Sequence, residues 1–378
     1  MKVSDYIASV VGQFCPFIVQ GGAAVHMVDS LARGGYRYVC TAHEQAAGFA
    51  ADGYAKVKGL GVVVTTCGPG ATNLLTAAAS AYFENVPVLY LVGQQHGFQE
   101  LNLVGMFKSV TGYAEMVVDP SRMENTLKAA LYIAHAESRP VLLNIHDDVY
   151  RAQIDAKPEL YEFDWRKAVG KHRVDSHTKQ IFAKERSKPP EDSASTGFVN
   201  PYYFMQELNR VNGGNPFRTV VTDIGNHGVW CKQASNRPVI SDNNFGSMGY
   251  AIAASMGVAC AGEKVVCING DGGIQMNIQE LATIAKHEMD IKIFILNDAG
   301  YGMIRCTQDR WLESRHFGCD LFDLPRVDFE RVATAYGIPN RRWETHEDVD
   351  FDSIFSMDGP MLVNVSVDPK QGIYESQG

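Results

Sequence analysis

Two doubly wound α/β domains, each on a parallel sheet and joined by a charged linker, are the architecture this sequence predicts. Three observations carry it. Short β-branched runs alternate with Ala-rich helical stretches along both halves of the 378 residues. The runs are continuously apolar rather than alternating, which marks strands of parallel sheets covered on both faces. Between the halves that rhythm stops. Residues 151–197 carry Lys157-Pro158, Lys171-His172-Arg173, Lys184-Glu185-Arg186 and Lys188-Pro189-Pro190-Glu191-Asp192 instead, a composition with no core of its own. The expected division is therefore 1–150, a linker over 151–197, and 198–378, each domain long enough to bury a core.

In the first domain strands are predicted over 17–20, 38–41, 61–66, 86–92 and 141–145, with helices over 45–58 and 71–82. In the second, strands fall over 219–222, 264–268, 291–296 and 361–367, with helices over 249–261 and 277–287. Ligands of open parallel sheets sit beyond the carboxyl ends of the strands, so function is sought in the residues that follow each one.

Composition narrows the classes of function. An apolar fraction of 46% and a charged fraction of 20% describe a soluble globular protein. A formal charge of −9 argues against a nucleic-acid or anionic-membrane partner, so an anionic ligand must be held locally by a metal or by backbone N–H groups. No apolar run approaches a membrane span, and the first residues lack the apolar core of a signal peptide. Cys15, Cys40, Cys67, Cys231, Cys260, Cys267, Cys306 and Cys319 form no C-x-x-C pair or zinc-like spacing. They read as free thiols of a reducing compartment, and a cytoplasmic location is expected.

The strand over 264–268 runs into Gly270-Asp271-Gly272-Gly273. Glycines at a strand-to-helix turn let a phosphate approach backbone N–H groups, although Gly-Asp-Gly is equally a good tight turn. The next strand ends in Leu296-Asn297-Asp298-Ala299-Gly300-Tyr301-Gly302, which puts a second carboxylate beyond a neighbouring strand end. Two oxygen ligands from adjacent strands, with room left for phosphate oxygens, suit Mg²⁺.

This pair of segments resembles the thiamine-diphosphate motif, which opens on Gly-Asp-Gly and closes on Asn-Asn. The resemblance implies that Asp271, Asp298 and the carbonyl of Gly300 hold Mg²⁺. Here Asp298 stands where Asn is usual, and its charge opposes the diphosphate. Thr222-Asp223-Ile224-Gly225-Asn226-His227-Gly228-Val229-Trp230 is similar to the acetolactate synthase segment whose Gln-His pair touches the diphosphate, with Asn226 for the Gln. Phe245-Gly246-Ser247-Met248-Gly249-Tyr250 resembles the segment whose Met wedges beneath the bent cofactor and whose glycine carbonyl accepts from its amino group. These would be Met248 and Gly246, although a Met before a helix also serves as core packing. Gly270, Gly272, Gly273, Tyr301, Gly302 and Met303 complete the implied cofactor contacts.

In the first half, Ala42-His43-Glu44-Gln45-Ala46-Ala47-Gly48-Phe49-Ala50-Ala51-Asp52-Gly53-Tyr54-Ala55 follows a buried strand and opens a helix of small residues. By itself Glu44 reads as a first-turn acid complementing the helix dipole. It resembles the family's catalytic glutamate, whose hydrogen bond to the aminopyrimidine stabilises the tautomer that takes up a proton during cofactor activation. Gly68-Pro69-Gly70-Ala71-Thr72-Asn73 matches a further family segment, as a tight turn or as a catalytic element. Gly22, Phe98 and Gln99 correspond to positions facing the substrate, Ile304 to an apolar pocket wall, and Thr307 to the tryptophan that selects the acceptor keto acid.

The resemblance covers about 1–149 and 198–368. It implies a thiamine-diphosphate-binding fold with a pyrimidine domain first and a diphosphate domain second. It also implies a homodimer, or dimer of dimers, with active sites at the interface. Where acetolactate synthases carry a middle domain, this chain has only the linker, so no FAD is expected. The implied reaction is decarboxylation of a 2-keto acid with carboligation to a second carbonyl. Simple decarboxylation and a catalytically silent, cofactor-binding paralogue are the alternatives. A dehydrogenase is disfavoured because no early strand is followed by G-x-G-x-x-G.

Overall fold

The alternation of strands and helices resolves into two units, 1–173 and 174–378, each built on a six-stranded sheet. The computed structural model describes residues 1–156, 163–165, 197–211, 216–242, 244–320 and 322–373. Most of the expected linker over 151–197 therefore lies outside the described residues.

In the first unit β1 (Phe17–Ile18), β2 (Val39–Cys40), β3 (Gly61–Thr65), β4 (Val88–Gln94), β5 (Tyr113–Val117) and β6 (Val141–His146) lie in the order β2-β1-β3-β4-β6-β5. All these pairs are parallel. The chain adds β2 on one side of β1 and β3 on the other, so the sheet reverses its winding there and leaves a crevice at the carboxyl ends. Alternate residues Val62, Val64, Leu89, Leu91, Leu143 and Ile145 face one core, which the helices Val3–Val11, Val25–Arg33 and Met123–Glu137 cover. Each such side chain contributes about 1.5–3 kcal/mol by leaving water. The helix Glu44–Lys58 is buried from Ala46 to Ala55, a stretch made mostly of Ala and Gly, in which the buried Asp52 is paired with Lys56 at 2.9 Å. Ala152, Ile154, Ala156, Phe163 and Trp165, from the front of the expected linker, pack against this unit's core.

In the second unit β7 (Thr219–Thr222), β8 (Val239–Ile240), β9 (Val265–Gly270), β10 (Ile291–Asn297), β11 (Asn340–Trp343) and β12 (Met361–Ser366) form the all-parallel order β11-β12-β10-β9-β7-β8. The winding reverses between β7 and β9. Leu296 pairs with Gly270, so Asp271 and Asp298 leave the sheet beside one another, as their strand ends predict. Beneath them Phe204, Phe294, Trp343 and Phe351 make an aromatic core with ring centroids 5.1–6.3 Å apart.

Three strands escape the sequence reading, and all lie at or near sheet edges. β5, β8 and β11 are only partly buried, so their sequences lack the continuous apolar run by which the central strands are recognised. The helix expected over 71–82 is two pieces, Pro69–Thr72 and Leu75–Glu84. The one expected over 277–287 is regular only at Leu281–Lys286. There Asn277 leaves the helical region (φ −137°), and its amide donates to the carbonyl of Gly249 at 2.9 Å, a contact that bends the chain. The eight cysteines are free thiols, six of them buried. Among the described residues no helix is long and apolar enough to cross a membrane.

Candidate active site

A cavity of about 400 Å³ lies where the second sheet reverses, beyond β7, β9 and β10. Its walls include Asn226 and His227 after β7, Gly246 and Met248 after β8, and Gly270, Asp271, Gly272 and Gly273 around the end of β9. Asp298, Gly300, Tyr301, Gly302, Met303 and Ile304 close it after β10. Thr307 is exposed one helical turn past Met303, to whose carbonyl its hydroxyl donates at 2.9 Å, and is not part of this wall.

Met248 is held between Gly246 (φ 78°) and Gly249 (φ 82°), a left-handed pair that glycine adopts at no steric cost. Two carboxylates pin this loop. Asp242 accepts from the N–H of Ser247 at 3.0 Å, and Asp223 accepts from Gly249 at 2.8 Å and Tyr250 at 3.1 Å. Asp223 thereby caps the helix Tyr250–Cys260, which is buried along nearly its whole length. Burial pushes its carboxyl up to about 7 against the pull of those N–H groups. Asp223 has no role that its own sequence window discloses. Its position just after β7 is the only local signal, because its partners lie 26 and 27 residues away.

Asp271 and Asp298 are both nearly buried. Burial, and then the neighbouring charge of Asp298, raise Asp271 to about 7; burial raises Asp298 to about 6 while Arg305 pulls it down. Asp271 accepts from the N–H of Gly300, yet its Oδ1 has no partner. Arg305, absent from the sequence reading, lies 3.2 Å from Asp298 Oδ2. Gly302 is required at its position because a Cβ there would run into the Asp298 carboxylate.

Asn226 and His227 begin the helix Asn226–Ala234. Asn226 Oδ1 and His227 Nε2 are buried without a partner. Burial, helped by Lys232, drops His227 to about 3, so its ring is neutral and supplies a hydrogen bond rather than a charge. Unpartnered buried polar atoms cost free energy unless a ligand or water meets them. Here three of them, on Asn226, His227 and Asp271, belong to the lining of one cavity. These atoms fit a divalent cation with a diphosphate: the Asp271 oxygen suits the metal and the neutral imidazole a phosphate oxygen, while Asn226 Oδ1 is an acceptor that suits the cation or a water, its Nδ2 donating to Cys306 Sγ at 3.8 Å.

The first unit brings its own candidates together at the carboxyl edge of its sheet. The His43 ring accepts from the Gln45 N–H at 3.1 Å and so starts the helix on which Glu44 stands, half-buried. The Asn73 amide donates to Glu44 Oε2 at 2.9 Å. The turn over 68–73 is thus a support for the glutamate, which the sequence left open between structure and catalysis. Gly22 lies after β1 close to the side chain of Gln95, and Gln99 (φ 52°) packs over Gly68. Phe98 is 61% exposed, so a wall it forms needs something to face it.

Comparison with known proteins bears on both units. The thiamine pyrophosphate enzyme N-terminal TPP-binding domain matches residues 1–116, and the C-terminal TPP-binding domain of the same family matches 223–365. The chain is 25% identical to the acetolactate synthase isozyme 2 large subunit of Escherichia coli (strain K12), over 94% of this chain and 93% of that protein. It is also 25% identical to an acetolactate synthase of Arthrospira platensis, over 94% and 91%. The first of these alignments runs over 510 positions against 378 residues here, so the relative carries a long stretch with no counterpart in this chain.

Proposed function

Because this chain belongs to the thiamine pyrophosphate enzyme family, through one of its domains in each unit, we propose that it is a thiamine-diphosphate- and Mg²⁺-dependent enzyme that decarboxylates a 2-keto acid and joins the remaining fragment to a second carbonyl. The observation that carries this reading is a complete set of parts: Glu44 braced by Asn73 in one unit, and in the other the paired aspartates, Met248 and three unpartnered polar atoms around one cavity. The acetolactate synthase relatives favour carboligation over simple decarboxylation.

Bound thiamine diphosphate supplies the electron sink that lets CO₂ leave a 2-keto acid. The chain's residues would do the rest. Asp271, Asp298 and the Gly300 carbonyl are the proposed Mg²⁺ ligands. The Asn226 amide and the neutral His227 ring are proposed donors to the diphosphate, and the Gly246 carbonyl the acceptor for the pyrimidine amino group. Met248 would hold the cofactor bent, on a loop that Asp223 and Asp242 immobilise. Asn73 engages Glu44 Oε2, which leaves Oε1 to share a proton with the pyrimidine ring nitrogen. Gly22, Phe98 and Gln99, with Ile304 and Thr307, are the proposed substrate contacts. We further propose a homodimer or dimer of dimers in which Glu44 of one protomer and Asp271 of its partner serve one cofactor. A cytoplasmic location suits eight free thiols.

The test is CO₂ release from pyruvate and a panel of larger 2-keto acids, with Mg²⁺ and thiamine diphosphate, in parent and E44Q proteins. Release is expected, with E44Q slower by about 10²–10⁴-fold. Product analysis with an added acceptor separates a carboligase from a decarboxylase. Cofactor binding without release from any keto acid would mean a silent paralogue.

A further inference from the structure

The aspartate at 298 poses an electrostatic problem of its own. A second full carboxylate, nine-tenths buried beside Asp271, opposes any diphosphate bound in the same cavity. Among the described residues, the Arg305 side chain meets it. The guanidinium of Arg305, itself buried, lies one helical turn beyond Tyr301 in the helix Gly302–Trp311. Its Nη2 sits 3.2 Å from Asp298 Oδ2 and donates to the Asp298 carbonyl at 2.7 Å. Its Nη1 donates to the carbonyls of Cys319 at 3.2 Å and Ala299 at 3.4 Å. The fork therefore grips both the carboxylate and the backbone of the turn that carries Gly300, whose neighbour Ala299 is in the left-handed region (φ 61°).

We propose that Arg305 is the positioning residue that allows an aspartate to serve at 298: the Asp298–Arg305 pair is neutral as a unit, as an asparagine is, and so accepts Mg²⁺ and a diphosphate together. The inference rests on the cofactor reading above. It makes 298 and 305 one coupled site. An arginine needs the aspartate, the aspartate needs the arginine, and a neutral pair should replace both. A purely structural clamp on the carbonyls of 298, 299 and 319 would show no such reciprocity.

The experiment is a double-mutant cycle on the full chain with R305M, D298N and D298N/R305M. Thiamine diphosphate is titrated calorimetrically at saturating Mg²⁺, and the melting temperature of each cofactor-free protein is recorded. R305M is expected to weaken cofactor binding by about 10- to 100-fold, and D298N/R305M to recover most of that loss. If R305M fails to fold while D298N/R305M folds, the coupling is likewise supported. An R305M protein that binds like the parent, a double variant no better than R305M, or neither variant folding would overturn the proposal. Failure of the parent to bind thiamine diphosphate would instead remove the cofactor reading on which the proposal stands.

Discussion

Replacing Asp271 by asparagine is expected to stabilise the metal-free protein while weakening its hold on the cation. In the folded chain this carboxyl is raised to about 7, through burial and then the charge of Asp298, from an ordinary value of 3.8. Well below pH 4, at about pH 3 and under, the group is neutral in both folded and unfolded chains and costs nothing. As pH rises from about 4 to 7 the unfolded chain releases the proton first, and folding loses up to about 1.4 kcal/mol for each pH unit. The full interval amounts to about 4 kcal/mol; water entering the cavity screens part of it, so roughly 2–4 kcal/mol is the expected cost at pH 8. Asparagine carries no charge and still offers an oxygen to the Gly300 N–H. Urea denaturation in the presence of a chelator should therefore find D271N more stable than the parent at pH 8, with the gap closing towards pH 4. Adding Mg²⁺ with thiamine diphosphate should stabilise the parent selectively, because ligands of the native state favour folding by mass action. A variant no more stable than the parent at pH 8, or a gap indifferent to pH, would refute the reasoning.

Three further outcomes follow from particular contacts. N73A removes the donor to Glu44 Oε2 and should lower kcat by about 10- to 100-fold through misplacement of the acid, while cofactor affinity and melting temperature stay close to the parent's. G302A forces a methyl group into the Asp298 carboxylate and within 2.9 Å of Asn226 Nδ2, so thiamine diphosphate titration should show at least about tenfold weaker binding. Because burial holds His227 neutral, H227Q should change cofactor affinity by less than about tenfold, and equally at pH 6 and pH 8. A loss confined to pH 6 would mean that the ring acts as a cation.

Local pattern carried much of this protein. Continuous apolar runs mark β3, β4, β6, β9, β10 and β12, because a central strand of a parallel sheet is buried on both faces wherever its neighbours are. The glycine-rich ends of β9 and the residues after β10 were legible for a related reason: a strand end is a fixed place in the fold, so chemistry found there has an address. The edge strands β5, β8 and β11 were not, since a strand half open to water needs no such run.

What the chain order alone could not disclose is who holds whom. Asp223 secures the Met248 loop from 26 residues away, Asn73 braces Glu44 from 29, and Arg305 reaches Cys319 across 14. Each of these polar side chains looks ordinary in its own window, because its value lies in a partner brought near only when the sheets close. Sequence by itself determined the fold class and the sites of the acidic groups, through burial periodicity and the residues at strand ends. Tertiary structure decided their protonation and their supports, because desolvation and hydrogen-bond distance depend on neighbours that folding, not the order of residues, supplies.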